Sequence, residues 1–201
     1  MPTDPPMTAA PRGRPRSGHA EQAILRATTE ILEERSFAAL TIEEVAARAG
    51  VGKGTVYRWW SSKGTLAFDA FVARFLEGQP LPDTGSLRGD LLAALRAWIR
   101  AVNGTATGQI LAGLIAEVQH DPALADEWRQ RFVSVVRAQH MTMIERAVAR
   151  SEIAAECDSD VVLDLLYGSA YHRLLQSHLP LTDRFARGVV GIIVAGVTAQ
   201  E

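Results

Sequence analysis

The sequence predicts an all-α protein, a three-helix head with a helix-turn-helix on a larger helical body, about nine helices in all. Three observations carry that expectation. Apolar residues recur at three- and four-residue spacing along most of the chain, and no segment reads convincingly as a strand. Charge is divided: residues 12–63 hold 9 Lys/Arg against 6 Asp/Glu, a net of +3, whereas residues 77–201 hold 11 against 15, a net of −4. A basic head on an acidic body orients a molecule toward a polyanion although the formal total is only −2. Finally, the stretch GVGKGTVYRWWSSKG, Gly50 to Gly64, follows a capped amphipathic segment. At 201 residues the chain is long enough for both parts and a sizeable core.

Residues 1–16 contain Pro, Thr and Arg but little that packs, which predicts a disordered arm. Its end, RGRPR, sets Arg12, Arg14 and Arg16 two apart on an extended stretch. Such guanidinium groups can lie in a narrow minor groove, or they can serve a solubilising tail. The first helix then buries Ala20, Ala23, Ile24, Ala27, Ile31 and Leu32, with Phe37 plugging the core of the head.

Thr41-Ile42-Glu43-Glu44 has the form of a capping box, in which Thr41 accepts from a first-turn amide and Glu44 reaches back to the cap. Ile42, Val45, Ala46 and Ala49 follow on one face, and Gly50 supplies the left-handed residue that ends a helix cheaply. Val51 opens the next helix, where Val56 and Trp60 repeat at i, i+4. Two short helices joined at a glycine, with small Ala46 between them, make a helix-turn-helix.

Lys53 among glycines raises a second possibility, a phosphate loop in an enzyme. That loop needs Gly, four residues, Gly-Lys and then Ser or Thr. Ala47 stands where the first glycine belongs and Gly54 where the magnesium-holding hydroxyl belongs, so the pattern fails. Lys53, Thr55, Tyr57, Arg58 and Trp59 instead surround the Val56/Trp60 face, and Lys63 closes the segment, with no carboxylate among them. Gly52 and Gly54 leave the first-turn amides open to a phosphate oxygen. Arg58 can fork to guanine, and Tyr57 can touch a phosphate or a thymine methyl.

The run TIEEVAARAGVGKGTVYRWWSSKGTL resembles the DNA-binding domain of the TetR family of bacterial transcriptional regulators. The resemblance is carried by Thr41, Ala46-Ala47, Gly50-Val51, Lys53-Gly54-Thr55, Val56-Tyr57, Trp60, Lys63 and Leu66. It implies a homodimeric regulator, most readily a repressor, that binds palindromic double-stranded DNA and is released by a small-molecule effector. With it, the DNA-contacting set becomes Thr41, Gly52, Lys53, Gly54, Thr55, Tyr57, Arg58, Trp59 and Lys63, together with the three arginines of the arm.

Past Lys63-Gly64, Leu66, Ala67, Ala70, Phe71, Arg74 and Phe75 lie on a helix joining head to body, which QPLPDTGS then breaks. The expected division is an arm at 1–16, a helix-turn-helix domain at 17–64, and a ligand-binding and dimerisation domain at 65–201. Leu87 to Val102 is amphipathic, NGTATG interrupts it, and Ile110, Leu111, Leu114, Ile115 and Val118 resume the pattern. Asp121 caps the next helix with Pro122 at its first position. That helix runs to about Arg150 and is long enough to be bent or broken. An effector pocket among these helices would draw on Trp98, Leu111, Leu114, Ile115, Trp128, Phe132, Met143 and Tyr171, which suits an apolar or aromatic ligand. The same residues equally suit an ordinary core.

The last two helices differ in character. Val161, Leu165, Gly168, Tyr171 and Leu175 share the first, and Gly188, Gly191, Ala195 and Ala199 make a small-residue stripe beside Ile192 on the second. A glycine within a helix costs about 1 kcal/mol relative to alanine. It is tolerated where another backbone comes close, which predicts a symmetric dimer here, the alternative being packing within one chain.

Several function classes lack support. One cysteine, Cys157, excludes a disulfide framework within the chain and a multi-cysteine zinc site. His19, His120, His140, His172 and His178 show no metal-binding spacing, and the last two, six apart, would fall on different faces of a helix. No metal or cofactor is expected, nor an enzyme, since no nucleophile–base spacing occurs and the carboxylates fall on exposed helix faces. The N-terminus lacks the apolar core of a signal peptide, and the most apolar run, Gly188 to Ala199, is too short to span a bilayer. A cytoplasmic protein without a membrane partner is therefore expected. A dimeric architectural DNA binder with no ligand is the alternative reading.

Overall fold

The computed structural model describes residues 15–75 and 81–198, with side chains from 18–74 and 81–198. Among them every regular element is helical: α1 (Pro15–Glu34), α2 (Ile42–Ala49), α3 (Lys53–Tyr57), α4 (Lys63–Phe75), α5 (Leu87–Val102), α6 (Ala106–Val118), α7 (Pro122–Trp128), α8 (Ser134–Ala149), α9 (Ser159–Gln176) and α10 (Asp183–Thr198). A π-helical segment, Arg129–Val133, joins α7 to α8 as one continuous rod. The long run expected to be bent or broken is thus interrupted by a π-helical segment.

Local chemistry explains the boundaries. Thr41 Oγ1 accepts from the Glu44 amide at 3.2 Å to start α2, and Gly50 ends it at φ 68°, ψ 31°. Glu44 does not reach back to the cap. Its carboxylate is taken by Arg35 at 3.1 Å and Arg48 at 3.6 Å, because two cations outbid a backbone amide for it. Ser86 and Thr105 cap α5 and α6, and Asp121 accepts from Ala123 and Leu124 ahead of α7.

Helix α1 packs on α2, α4 and α6, so head and body share one continuous core from Ile24 to Ile193. Phe37 belongs to the seam rather than to the head alone: a Cβ on Gly113 of α6 would meet its Cβ at 2.7 Å. In the body, α5 is central and touches α6, α8, α9 and α10. Its first turn holds the one fully buried carboxylate among the described residues, Asp90, which corrects the expectation of exposed carboxylates. Asp90 accepts from the Thr84 amide at 2.6 Å and hydroxyl at 2.8 Å. Arg146 of α8 and Arg150, which caps its end, each stand 3.7 Å away. Glu152 completes this clamp by accepting from the Leu87 amide at 2.6 Å.

Two boundaries differ from the sequence reading. α1 begins at Pro15, so Arg16 lies in its first turn, while Arg12 and Arg14 fall outside the described residues. α3 ends at Tyr57, leaving Arg58 and Trp59 in a turn that brings Trp60 into the core.

Candidate nucleic-acid interface and internal cavity

The surface of α3 is built for approach. Gly52, Lys53, Gly54, Tyr57 and Arg58 are exposed, and nothing lies within 4 Å of where a Cβ on Gly52 or Gly54 would sit. The first-turn amides are thus reachable, with Gly52 capping α3 without any side-chain acceptor. Thr41 and Thr55 stand at the starts of α2 and α3, Thr55 half-buried. Arg58 rests 5.6 Å from the Trp59 ring centroid, and Trp59 meets Trp60 edge to face at 5.6 Å. Lys63 sits over the Phe37 ring at 4.9 Å. Lys53 is already engaged: its Nζ donates to Glu43 Oε1 at 2.7 Å, which holds the Glu43 carboxyl below its ordinary pKa. The spacing of α2 and α3 hides this pair, since the partners are ten residues apart.

Behind the head lies a cavity of about 1340 Å³. That exceeds the usual volume of about 300–1,000 Å³ for a ligand site. Of the residues expected there, Trp98, Ile115, Trp128, Phe132 and Tyr171 line it. Leu111, Leu114 and Met143 do not: each is fully buried, its side chain consumed by packing between helices. Unforeseen members are Phe71 of α4, His140 of α8, and Tyr167 of α9. Tyr167 was recoverable, because it stands one helical turn before Tyr171 on the same face. Thr29, Leu32 and Glu33 of α1 and Ala70 and Arg74 of α4 also face the space, so its wall includes the head's own helices. The π segment places Phe132 against Phe71 at 5.4 Å and against Trp128 at 4.7 Å. Such segments interrupt α-helices mostly where a site needs them.

A polar tie joins this wall to the head. Trp60 Nε1 donates to Asp69 Oδ2 of α4 at 2.8 Å, and Asp69 Oδ1 pairs with Arg131 of the π segment at 2.7 Å. Arg131 also covers the Phe68 ring at 5.2 Å. Gly64 of α4 fits closely against α6 and α7, where an added Cβ would meet Leu124 at 3.1 Å and Glu117 at 3.2 Å.

The outer face of α9 and α10 is apolar and uncovered. Val161, Leu165, Leu175 and Ile192 are between 43% and 77% exposed. Gly188 and Gly191 have open space where a Cβ would go, so no packing within the chain accounts for them, whereas Gly168, equally open, and Leu175 also line the cavity. Ala195 is exposed on the same helix, and Ala199 lies outside the described residues. Tyr171 turns the other way, with its ring 5.2 Å from Trp98, so it belongs to the cavity. Leu179, 51% exposed in the α9–α10 turn, joins the apolar face without a helical pattern to announce it. His172 and His178 are not kept apart: left-handed Ser177 ends α9 and brings their ring centroids to 4.8 Å.

A helix-turn-helix with an open basic helix, seated on a helical body with a roomy cavity, is the architecture of a DNA-binding regulator. Comparison with known proteins gives the family. A description of bacterial regulatory proteins of the tetR family matches residues 24–70, and one of the tetracyclin repressor-like C-terminal domain matches residues 81–193. The HTH-type transcriptional regulator YdeS of Bacillus subtilis is 35% identical over 94% of this chain and 96% of its own length. The DNA-binding transcriptional repressor TetR of Mycobacteroides abscessus is 30% identical over 87% of this chain and 89% of its own. The crystal structure of the TetR family regulator SCO0332 superposes with a TM-score of 0.77 at 37% identity, covering 89% of this chain and 98% of that one. The chain belongs to the TetR family and is a DNA-binding transcriptional regulator. Operator DNA, a second copy of the chain and a small-molecule effector are the partners that membership brings. No helix among the described residues is long and apolar enough to cross a membrane.

Proposed function

We propose that the chain is a cytoplasmic, non-enzymatic repressor whose cavity, when filled, withdraws the head from DNA. The observation that carries this reading is the wall itself: α1 of the head and the connecting helix α4 face the same space as α5, α6, α8 and α9. A ligand there meets the helices that aim α3, so it can favour one separation of the two heads in a dimer. It does so only if it binds the DNA-incompetent arrangement more tightly. A domain division at 17–64 and 65–201 makes α4 the strut between the two parts.

On DNA, Lys53 and Lys63 would hold phosphates at either end of the reading segment, with Arg58 at a base edge and Tyr57 beside it. Thr41, Thr55, Trp59 and the amides at Gly52 and Gly54 complete the contact. Arg12, Arg14 and Arg16 are assigned to the minor groove on their spacing alone. Val161, Leu165, Gly168, Leu175, Gly188, Gly191, Ile192, Ala195 and Ala199 form the proposed two-fold interface. The test is a titration of the protein, bound to its own promoter fragment, with a metabolite library, in parallel with Arg58→Ala and Lys53→Ala against half-site variants. Release by no compound would favour the ligand-free architectural reading. Arg58→Ala should cost about 1–3 kcal/mol at one position per half-site, whereas Lys53→Ala should weaken all sequences alike.

A further inference from the structure

The deep part of the cavity is aromatic yet not without polar groups. Trp98 lies 5.2 Å from Tyr171 and 6.4 Å from Tyr167, and Tyr167 lies 5.3 Å from His140, all as ring centroids. Rings in these edge and tilted arrangements leave faces on which a further flat ring can stack. The charges nearby are spoken for. Arg137 is held by Asp160 at 2.5 Å and Asp164 at 2.6 Å, and Arg74 pairs with Glu33 at 3.8 Å in an exposed position. Arg100, exposed on the wall, is the one cation there with no partner among the described residues.

The neutral groups are not satisfied in the same way. His140 Nδ1 stands 2.7 Å from the Val136 carbonyl oxygen, which can only accept, so Nδ1 carries the hydrogen. Burial lowers the imidazole pKa and keeps the ring neutral. Nε2 is therefore a bare acceptor, without a partner among the described residues. Burial pushes the Tyr171 phenol up to about 12, against a smaller lowering by the neighbouring Trp98 indole. The Tyr167 phenol is raised also, chiefly by burial, so both hydroxyls stay protonated at neutral pH.

We propose that the effector is a neutral, flat aromatic molecule bearing a hydroxyl or ring N–H, which donates to His140 Nε2 while the ring stacks among Trp98, Tyr167 and Tyr171. This deepens the effector reading above and rests on it. An all-carbon ligand would strip water from Nε2 and return nothing, and a site built to pair with a hydroxyl discriminates against the analogue that lacks one. An anion would find one unengaged cation on the wall among the described residues, Arg100, and could donate nothing to His140 Nε2.

The experiment uses the full chain and three probes of one shape: 2-naphthol, 2-methylnaphthalene and 2-naphthoate, followed by calorimetry. The expected order has 2-naphthol first, roughly tenfold tighter than 2-methylnaphthalene, the equivalent of about 1.4 kcal/mol. His140→Phe should erase that preference while leaving 2-methylnaphthalene binding in place, and the wild-type ranking stands as a test even if the variant does not fold. Equal affinities, a lead for 2-naphthoate, a preference that survives His140→Phe, or no saturable binding by any probe would each overturn the proposal. If 2-naphthol binds with the expected preference yet leaves promoter DNA bound, the ligand chemistry holds and the release reading fails. If 2-methylnaphthalene releases DNA as well as 2-naphthol does, the release reading holds and the ligand chemistry fails.

Discussion

Trp60 and Asp69 are joined by an indole hydrogen bond of 2.8 Å between the core of the head and the strut helix α4. Trp60 is almost fully buried, so its N–H has no solvent to fall back on. Asp69→Ala should therefore destabilise the chain by about 1–3 kcal/mol, the cost of an orphaned buried donor. Arg131→Met removes the ion pairs with Asp69 and Glu127 but keeps an aliphatic chain beside Phe68 and the Trp60–Asp69 bond, and should cost less than Asp69→Ala. Urea unfolding followed by tryptophan fluorescence measures both, and equal losses would show that the tie depends on the arginine.

In the proposed DNA complex, Glu43 competes with a phosphate for Lys53. Both side chains are more than half exposed, so their 2.7 Å pair does little for the fold. Glu43→Gln should leave the unfolding midpoint unchanged and tighten binding to promoter DNA at low salt. The slope of log affinity against log salt should steepen by roughly one unit, as expected for one more phosphate contact. Anisotropy titrations at several salt concentrations check this, and the gain must vanish in Glu43→Gln/Lys53→Ala.

Gly113 is the seat for Phe37. Alanine is the better helix former by about 1 kcal/mol, yet its Cβ would come within 2.7 Å of the Phe37 Cβ, an atom tied directly to the backbone. The clash outweighs the propensity, so Gly113→Ala should lower the melting temperature and weaken promoter binding together. A stabilised variant with normal binding would show that the head–body seam is looser than described.

At the outer face, Gly191→Arg places a long charged side chain on helix α10 beside exposed Ile192. The proposed two-fold interface should open, giving monomers in sedimentation at micromolar protein and poor binding to a two-half-site fragment. Because nothing within the chain crowds Gly191, the monomer should remain folded by circular dichroism. A variant that still sediments as a dimer would place the interface elsewhere.

What could be read in advance follows the range of the forces involved. Helix ends were legible where caps act over two to four residues, as Thr41, Gly50 and Asp121 show. The basic helix was legible because its chemistry is contiguous in sequence. The cavity was legible only in part. Helical spacing puts Trp128 and Phe132 on a buried face, but it cannot say that Leu111 and Leu114 are consumed in packing while Phe71 and His140 face open space. The long-range pairs of the Asp90 clamp and of the Trp60–Asp69–Arg131 tie join partners nine to sixty-five residues apart. No local pattern encodes such pairs.

The cavity wall also bears on how such regulators can be recombined. Thr29, Leu32 and Glu33 of α1 belong to the ligand chamber although they lie on the DNA-binding side of any simple cut. A transplant of the whole head onto a foreign body would carry part of the chamber away and leave a hole behind. The portable unit is smaller: the α2–α3 surface from Thr41 to Lys63, which contributes no residue to that wall. On the proposed assignment of contacts, exchanging that segment alone should retarget the DNA and leave the cavity wall as it is.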